Sequence, residues 1–222
     1  LDPLCFMLIY VFMFGYVFKS NQEYFAIFVF IGITLWDFFN KTLLQSVRVI
    51  KTNKPIVSKV YIPKFILLIV RMGVNGFKMF ISLMIIIAML GVWHVKLTWN
   101  VIYVIPILLT LMVIVFGFGC FLLHYGVFVE DLSNVLNIVL RFLFYLTGVF
   151  WNIMDRLPAP YNVYIGRGNP IAFLITSMRD CVIYGSTPHR KLLLLWFVVG
   201  VIISILGVRK IYKNENSYVK VI

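Results

Sequence analysis

Three cations recur every seven residues through a segment that otherwise avoids charge: Lys64, Arg71 and Lys78. Seven residues is close to two helical turns, so on a helix the three share one face and climb it by about 10 Å per step. A cation inside an apolar segment is costly unless it reaches an interface, pairs, or receives an anion, and a phosphate is the kind of group such a strip suits. Lys64 and Arg71 also suit snorkelling to a cytoplasmic interface, whereas Lys78 sits deeper. Arg141, partway along another apolar run, suits a lipid phosphate or a transport path equally well. Aromatic residues make up 17% of the chain. Most read as lipid-facing bulk and interface anchors; a minority, with Trp36, Phe39 and Tyr145 as candidates, would line a wide path on whose ring faces sugars stack.

Catalytic arrangements are scarce. His94, His124 and His189 lie far apart, none at ligand spacing from another His, Cys or carboxylate, so no metal site is expected. Glu130 and Asp131 are adjacent, and on a helix they point in different directions instead of forming an acid and base pair. The chain has no nucleophile elbow and no G-x-x-x-x-G-K-[ST] loop. No cofactor is therefore expected in this chain, and any power stroke must come from a partner. Cys5, Cys120 and Cys181 are odd in number, which argues against a disulfide framework.

The elements that hold these residues are set by composition. Of 222 residues, 62% are hydrophobic and only 13% charged, with a mean hydropathy of +0.99; that leaves too little polar surface to coat a soluble globule. The expected solvent is a bilayer. A net charge of +12 would suggest nucleic acid in a soluble protein, but here it reads as loop topology and contact with lipid or an anionic substrate, and no nucleic-acid partner is expected.

A helix needs about 20 predominantly apolar residues to cross the hydrocarbon core. Six runs qualify or nearly qualify: Pro3 to Phe18, Tyr24 to Val49, Phe65 to Val92, Val101 to Tyr125, Val135 to Trp151 and Leu192 to Val208. The basic connector from Arg48 to Lys64 and the tail with Arg209, Lys210, Lys213 and Lys220 belong on the cytoplasmic side. Alternation then puts Gly126 to Asn134 inside and Trp93 to Asn100 outside. The stretch Asn152 to Lys191 falls outside although it holds five basic residues, and its apolar pieces, broken by Pro158, Pro160, Gly166, Gly168 and Pro170, are too short to span. Short re-entrant helices packed on protein fit it, with Arg167 and Arg179 at the outer surface. The fold class expected is all-α: one polytopic transmembrane domain over residues 1–222, six transmembrane helices, and re-entrant outer helices between the fifth and sixth. The first run opens at Leu1 with no basic segment before it, which argues against a cleavable signal peptide and for a chain missing its natural start.

Several segments together resemble the polysaccharide exporter permeases of the ABC superfamily. The run FVFIGITLWDFF from Phe28 to Phe39 is followed by SVRVIKTNKPIVSKVYIPKFILL from Ser46 to Leu68, then VFVEDL at Val127 to Leu132, GNPIAFLITSMRD at Gly168 to Asp180, and a last apolar span with a short basic tail. The resemblance covers nearly the whole chain. It implies the membrane subunit of a teichoic-acid or O-antigen type exporter in the bacterial cytoplasmic (inner) membrane, a homodimer bound to two nucleotide-binding ATPase subunits that carry ATP and Mg. A cytoplasmic amphipathic helix ahead of the first span, which such permeases have, would be absent here. Under the resemblance Lys64, Arg71, Lys78 and Arg141 would receive the headgroup of a lipid-linked polysaccharide. The connector residues Lys51, Asn53, Lys54, Pro55, Ser58 and Lys59, with Glu130 and Asp131, would couple to the ATPase. Glu130 stands where the family usually has Arg. Three other readings stay open on the residues alone: a small-molecule or lipid exporter on the same scaffold, an ATP-independent flippase, which would show repeats not seen here, and a lipid-modifying enzyme, which would need clustered acids or histidines.

Overall fold

The computed structural model describes residue 12 and residues 24–57, 59, 62–153, 158–215 and 217–218. Most of those residues are helical and no strand is among them, as the apolar runs dictate, because in lipid a helix satisfies its own backbone. The helices, in chain order, are α1 (Phe25–Thr52), α2 (Lys54–Val57), α3 (Lys64–Val92), a 3-10 turn (Trp99–Tyr103), α4 (Val104–Phe128), α5 (Leu132–Leu146), α6 (Tyr161–Gly168), α7 (Pro170–Val182) and α8 (Arg190–Lys213).

Four helical segments are long and apolar enough to cross a membrane: Phe25–Thr52, Lys64–Val92, Trp99–Phe128 and Arg190–Lys213. The chain is thus a multi-pass membrane protein. The expected first span lies outside the described residues. The expected fifth, Val135 to Trp151, is helical only as α5, whose 15 residues rise about 22 Å and fall short of a 30 Å core. Its end is local: Thr147 and Gly148 turn the chain, with Gly148 at φ +67°, a conformation glycine adopts without penalty.

The chain divides into two compact units. The first comprises Leu1–Asp37, Lys78–Leu108 and Leu143–Leu193. Its core is the start of α1, where Ile27, Phe28, Val29, Phe30, Ile31 and Leu35 are buried, and α7, buried along most of its length. Asn169 starts α7: its side chain accepts from the backbone N–H groups of Ile171 and Ala172 at 3.0 and 3.4 Å, and Pro170 follows at the first helical position. An Asn cap with Pro behind it is a strong helix start. Asn169 also donates to Thr147 at 3.4 Å. After α7 the carbonyl of Gly185 accepts from Asn100 at 2.6 Å and from Thr98 at 3.4 Å. Helices α6 and α7 are each too short to span and occupy the stretch where re-entrant helices were expected.

The second unit comprises Phe38–Phe77, Leu109–Phe142 and Leu194–Ile222. Its core cluster joins Val49 and Ile50 of α1, Leu68 of α3, Cys120, Leu123 and Val127 of α4, Ile211 of α8 and Tyr218. The helices approach closely at small residues, the usual means of packing helices where lipid removes any hydrophobic preference for association. Gly126 is the tightest: a Cβ there would collide with the carbonyl oxygen of Val47. Ser204 of α8 donates to the carbonyl of Val113 at 3.0 Å, and His124 shares a 2.7 Å hydrogen bond with Tyr218.

Candidate functional site

The polar residues of the second unit converge where α1 ends and α5 begins. Leu44, Gln45, Arg48 and Thr52 occupy successive turns of one face of α1, Arg71 comes from α3, and Ser133 and Asn137 lie one turn apart on α5; together they line an open cavity of about 340 Å3, with Arg48 and Thr52 exposed at it. A second cavity of about 310 Å3 shares Arg48, Thr52 and Ser133 and adds Val47, Lys51, Gly126, Glu130 and Asn134. Arg48 and Ser133 are the partition between the two.

What separates the cavities is charge. The first is lined by two guanidiniums and neutral polar groups with no carboxylate; the second sets Glu130 against Arg48 and Lys51. Asn75, 3% exposed, ties α3 to α1 by donating to Thr42 at 3.0 Å and to Gln45 Oε1 at 3.1 Å. That bond occupies the accepting end of Gln45 and leaves its donating Nε2 for the cavity. The hydroxyl of Thr52 is turned to its own helix, donating to the carbonyls of Arg48 and Val49 at 3.1 and 3.2 Å.

The basic ladder expected on α3 is present as a gradient of exposure. Lys64 is buried at 3%, donates to the carbonyl of Ile62 at 3.0 Å and lies 3.5 Å from Glu215. The charge of Lys64 thus faces a carboxylate of its own chain. Arg71 is half-buried at the first cavity, and Lys78 is exposed. Arg141 is exposed one turn beyond Asn137 on the same face of α5.

The aromatic candidates divide in the same way. Trp36 and Phe39 are each 6% exposed, Trp36 against Phe144 with ring centroids 5.4 Å apart, and Tyr145 is the exposed one of the three. Among the coupling candidates Lys51 and Glu130 line one cavity. Asn53 caps α1 by donating to the carbonyl of Val49 at 2.7 Å, while Lys54, Pro55, Lys59 and Asp131 are exposed. Ser58 lies outside the described residues. Among those residues no group of His, Cys, Asp and Glu is placed to hold a metal.

In the first unit the expectation for Arg179 is overturned. Arg167 is exposed, but Arg179 is 3% exposed. Its Nε donates to the carbonyl of Phe28 at 3.1 Å, Nη1 to Gly148 at 2.9 Å and Nη2 to Val149 at 2.6 Å, and the guanidinium lies 3.5 Å over the Phe28 ring. A surface place failed because three carbonyls replace water around the cation. Two glycines make this possible: a side chain at Gly32, one turn after Phe28, would stand 2.6 Å from Nη2, and the turn at Gly148 aims consecutive carbonyls at the fork.

A family model described as ABC-2 type transporter matches residues 1–183. The chain belongs to the ABC-2 type transporter family. Among curated proteins this ABC-2 permease is similar to two from Klebsiella pneumoniae, each named O-antigen export system permease protein RfbA. One is 22% identical over 223 residues and the other 23% over 222, both covering 100% of this chain and 85% of the relative. It is also similar to the protein of that name from Myxococcus xanthus, 23% identical over 206 residues, covering 91% of this chain and 78% of the relative.

Sequence reasoning singled out Arg71 and missed the residues that join it. Arg48 was read as a loop charge and Gln45, Ser133 and Asn137 were not read at all, although Gln45, Arg48 and Thr52 are spaced for one face of α1, and Ser133, Asn137 and Arg141 for one face of α5. That double polar stripe in apolar helices was the available signal.

Proposed function

We propose that this permease is the membrane subunit of an ATP-driven exporter that moves a lipid-linked cell-envelope polysaccharide of O-antigen type across the bacterial cytoplasmic membrane. Two copies would form the path, and two separate ATPase subunits would bind ATP and Mg. The observation that carries the reading is the similarity to permeases named for O-antigen export along the entire chain.

The chemistry of the second unit suits the task. A headgroup bearing phosphate loses several kcal/mol on leaving water unless cations receive it, and the cationic cavity stands at the ends of the apolar helices where such a group arrives. The mixed-charge cavity with Lys51 and Glu130, beside the short α2, is the surface offered to the ATPase. Deleting the gene is expected to abolish long-chain polysaccharide at the cell surface while polymer accumulates inside, with rescue by the full chain. Unchanged surface polysaccharide would refute export of that polymer. A second reading, export of a lipid or other apolar molecule, is favoured by a cavity of about 670 Å3 lined by Phe38, Met72, Gly73, Gly76, Met112 and Phe116 among others; a deletion that alters membrane lipid and leaves polysaccharide in place would select it.

A further inference from the structure

We propose that the tail after α8 is a clasp on the connector between α1 and α3, with Glu215 and Tyr218 as the residues that fix where that connector stands. Its part in export rests on the reading above, in which the connector meets the ATPase; the clasp itself rests on contacts within the second unit.

The chain first turns back at the end of α8. Asn214 follows Lys213, the last residue of that helix, and its side chain donates to the carbonyl of Lys210 at 2.9 Å. Its N–H donates to the carbonyl of Ile211 at 3.1 Å, and its own carbonyl accepts from the N–H of Ser217 at 3.0 Å. Bonds of this kind satisfy the carbonyls that a helix end leaves open, and they stop the helix. The turn delivers two side chains into the unit, Glu215 at 7% exposure and Tyr218 at 0%.

Each of them meets one end of the connector. Lys64 opens α3, and its Nζ lies 3.5 Å from Glu215 Oε1 while donating to the carbonyl of Ile62 at 3.0 Å. One ammonium thus ties the tail carboxylate to the last residues of the connector. Tyr218 packs in the cluster that holds Val49 and Ile50 from the end of α1. Its hydroxyl meets His124 Nδ1 at 2.7 Å, and its ring stands 5.8 Å from that of His124 and 5.9 Å from that of Phe128. Burial, and then the charge of Glu215, push the Tyr218 phenol above its usual range, so the hydroxyl keeps its proton. Asn53, which starts the connector, donates to the carbonyl of Val49 at 2.7 Å. The end of α1 is therefore held both by the connector and by the tail.

The choice of a charged pair is informative. Coulomb attraction between buried charges is largely offset by their desolvation, so an apolar pair would pack as well. What the pair adds is a rule for which residues meet: displacing Glu215 strands a buried ammonium, and the start of α3 keeps its place only while the tail is closed.

The test uses the full chain in inside-out membrane vesicles and reads maleimide labelling at each cysteine by mass spectrometry. Val57, 6% exposed on α2, becomes the reporter as Val57→Cys, and the native Cys120, 0% exposed in the cluster around Tyr218, reports on the core. Glu215→Gln should speed labelling of the reporter about tenfold and Tyr218→Phe about fivefold, the first losing a charged partner and the second one neutral hydrogen bond. Cys120 should stay protected in both. Glu215→Asp, which keeps the charge, should label near the rate of the unsubstituted tail. An unchanged reporter in Glu215→Gln and Tyr218→Phe overturns the clasp. Cys120 opening in step with the reporter overturns it too, because the tail would then be ordinary core packing, and so does Glu215→Asp labelling as fast as Glu215→Gln. Surface polysaccharide on the same cells separates the clasp from the export reading. Faster labelling with reduced surface polysaccharide supports both, whereas faster labelling with unchanged polysaccharide sinks the connector's part in export and leaves the clasp standing.

Discussion

Arg179 in one unit and the pair Arg48 and Arg71 in the other are the same side chain in opposite electrostatic situations. Arg179 is enclosed by the protein, its fork closed by the carbonyls of Phe28, Gly148 and Val149 and its face by the ring of Phe28. Nothing is left for a ligand. Arg48 and Arg71 face a cavity in which the chain supplies no acid. The difference teaches that the cost of a cation in an apolar protein is met in two ways, by carbonyls that enclose it, as at Arg179, or by solvent at a helix end, where Arg48 is exposed and Arg71 half-buried. Burial and partners, not residue type, tell the two apart.

The widest contrast comes from removing the enclosed cation. Arg179→Gln strands carbonyls that a neutral amide cannot reach together, and the expected loss of stability is about 3–5 kcal/mol. Thermal unfolding of the purified protein should show a large fall, and Arg179→Lys should not restore it, because a point charge cannot bond three carbonyls across a fork. The cavity variants Arg48→Gln and Arg71→Gln should unfold as the wild type does. Arg179→Gln matching the wild type in stability would erase the contrast.

A smaller effect is expected from the packing that presents Arg48. Gly126→Ala would drive a methyl into the carbonyl of Val47, the residue before Arg48. Backbone cannot step aside as a flexible side chain does, so α1 and α4 must separate. The expected destabilisation is about 1–3 kcal/mol, read as a fall in thermal unfolding temperature. Unfolding unchanged from the wild type would show that α1 and α4 admit the methyl without separating.

Most of the architecture was legible in the sequence because a bilayer leaves few choices. Tyr24 to Val49, Phe65 to Val92, Val101 to Tyr125 and Leu192 to Val208 each became long helices with ends moved by a few residues. The fifth run was overextended to Trp151, since hydropathy does not register a turn made by Gly148. The site was only half legible. Seven-residue spacing correctly put Lys64, Arg71 and Lys78 on one face, yet it says nothing of what lies opposite. Glu215, 151 residues from Lys64 in the chain, neutralises that lysine, and carbonyls from two distant segments enclose Arg179. Such partners depend on tertiary contact between residues far apart in sequence, and periodicity within one helix cannot reveal them.

The finest probe of the comparison is the neighbour of the enclosed arginine. Burial pushes the Asp180 carboxyl up to about 6, with the Arg179 guanidinium pulling the other way; burial also draws Arg179 down to about 9, which leaves it charged at neutral pH. An acid whose folded pKa lies above its ordinary value of 3.8 binds its proton more tightly when folded. Its contribution is therefore complete below about pH 4 and is lost as pH rises through about 6. Over that window the wild type should lose a fraction of the roughly 1.4 kcal/mol per pH unit that one fully linked proton gives, and Asp180→Asn should flatten the slope. In Arg179→Gln the cation that opposes burial is gone, so the window should move to higher pH. A slope that persists in Asp180→Asn would assign the titration to another group, and a window that stays in place in Arg179→Gln would mean that the enclosed charge is shielded from its own neighbour, leaving hydrogen bonds alone to explain its hold on the fold.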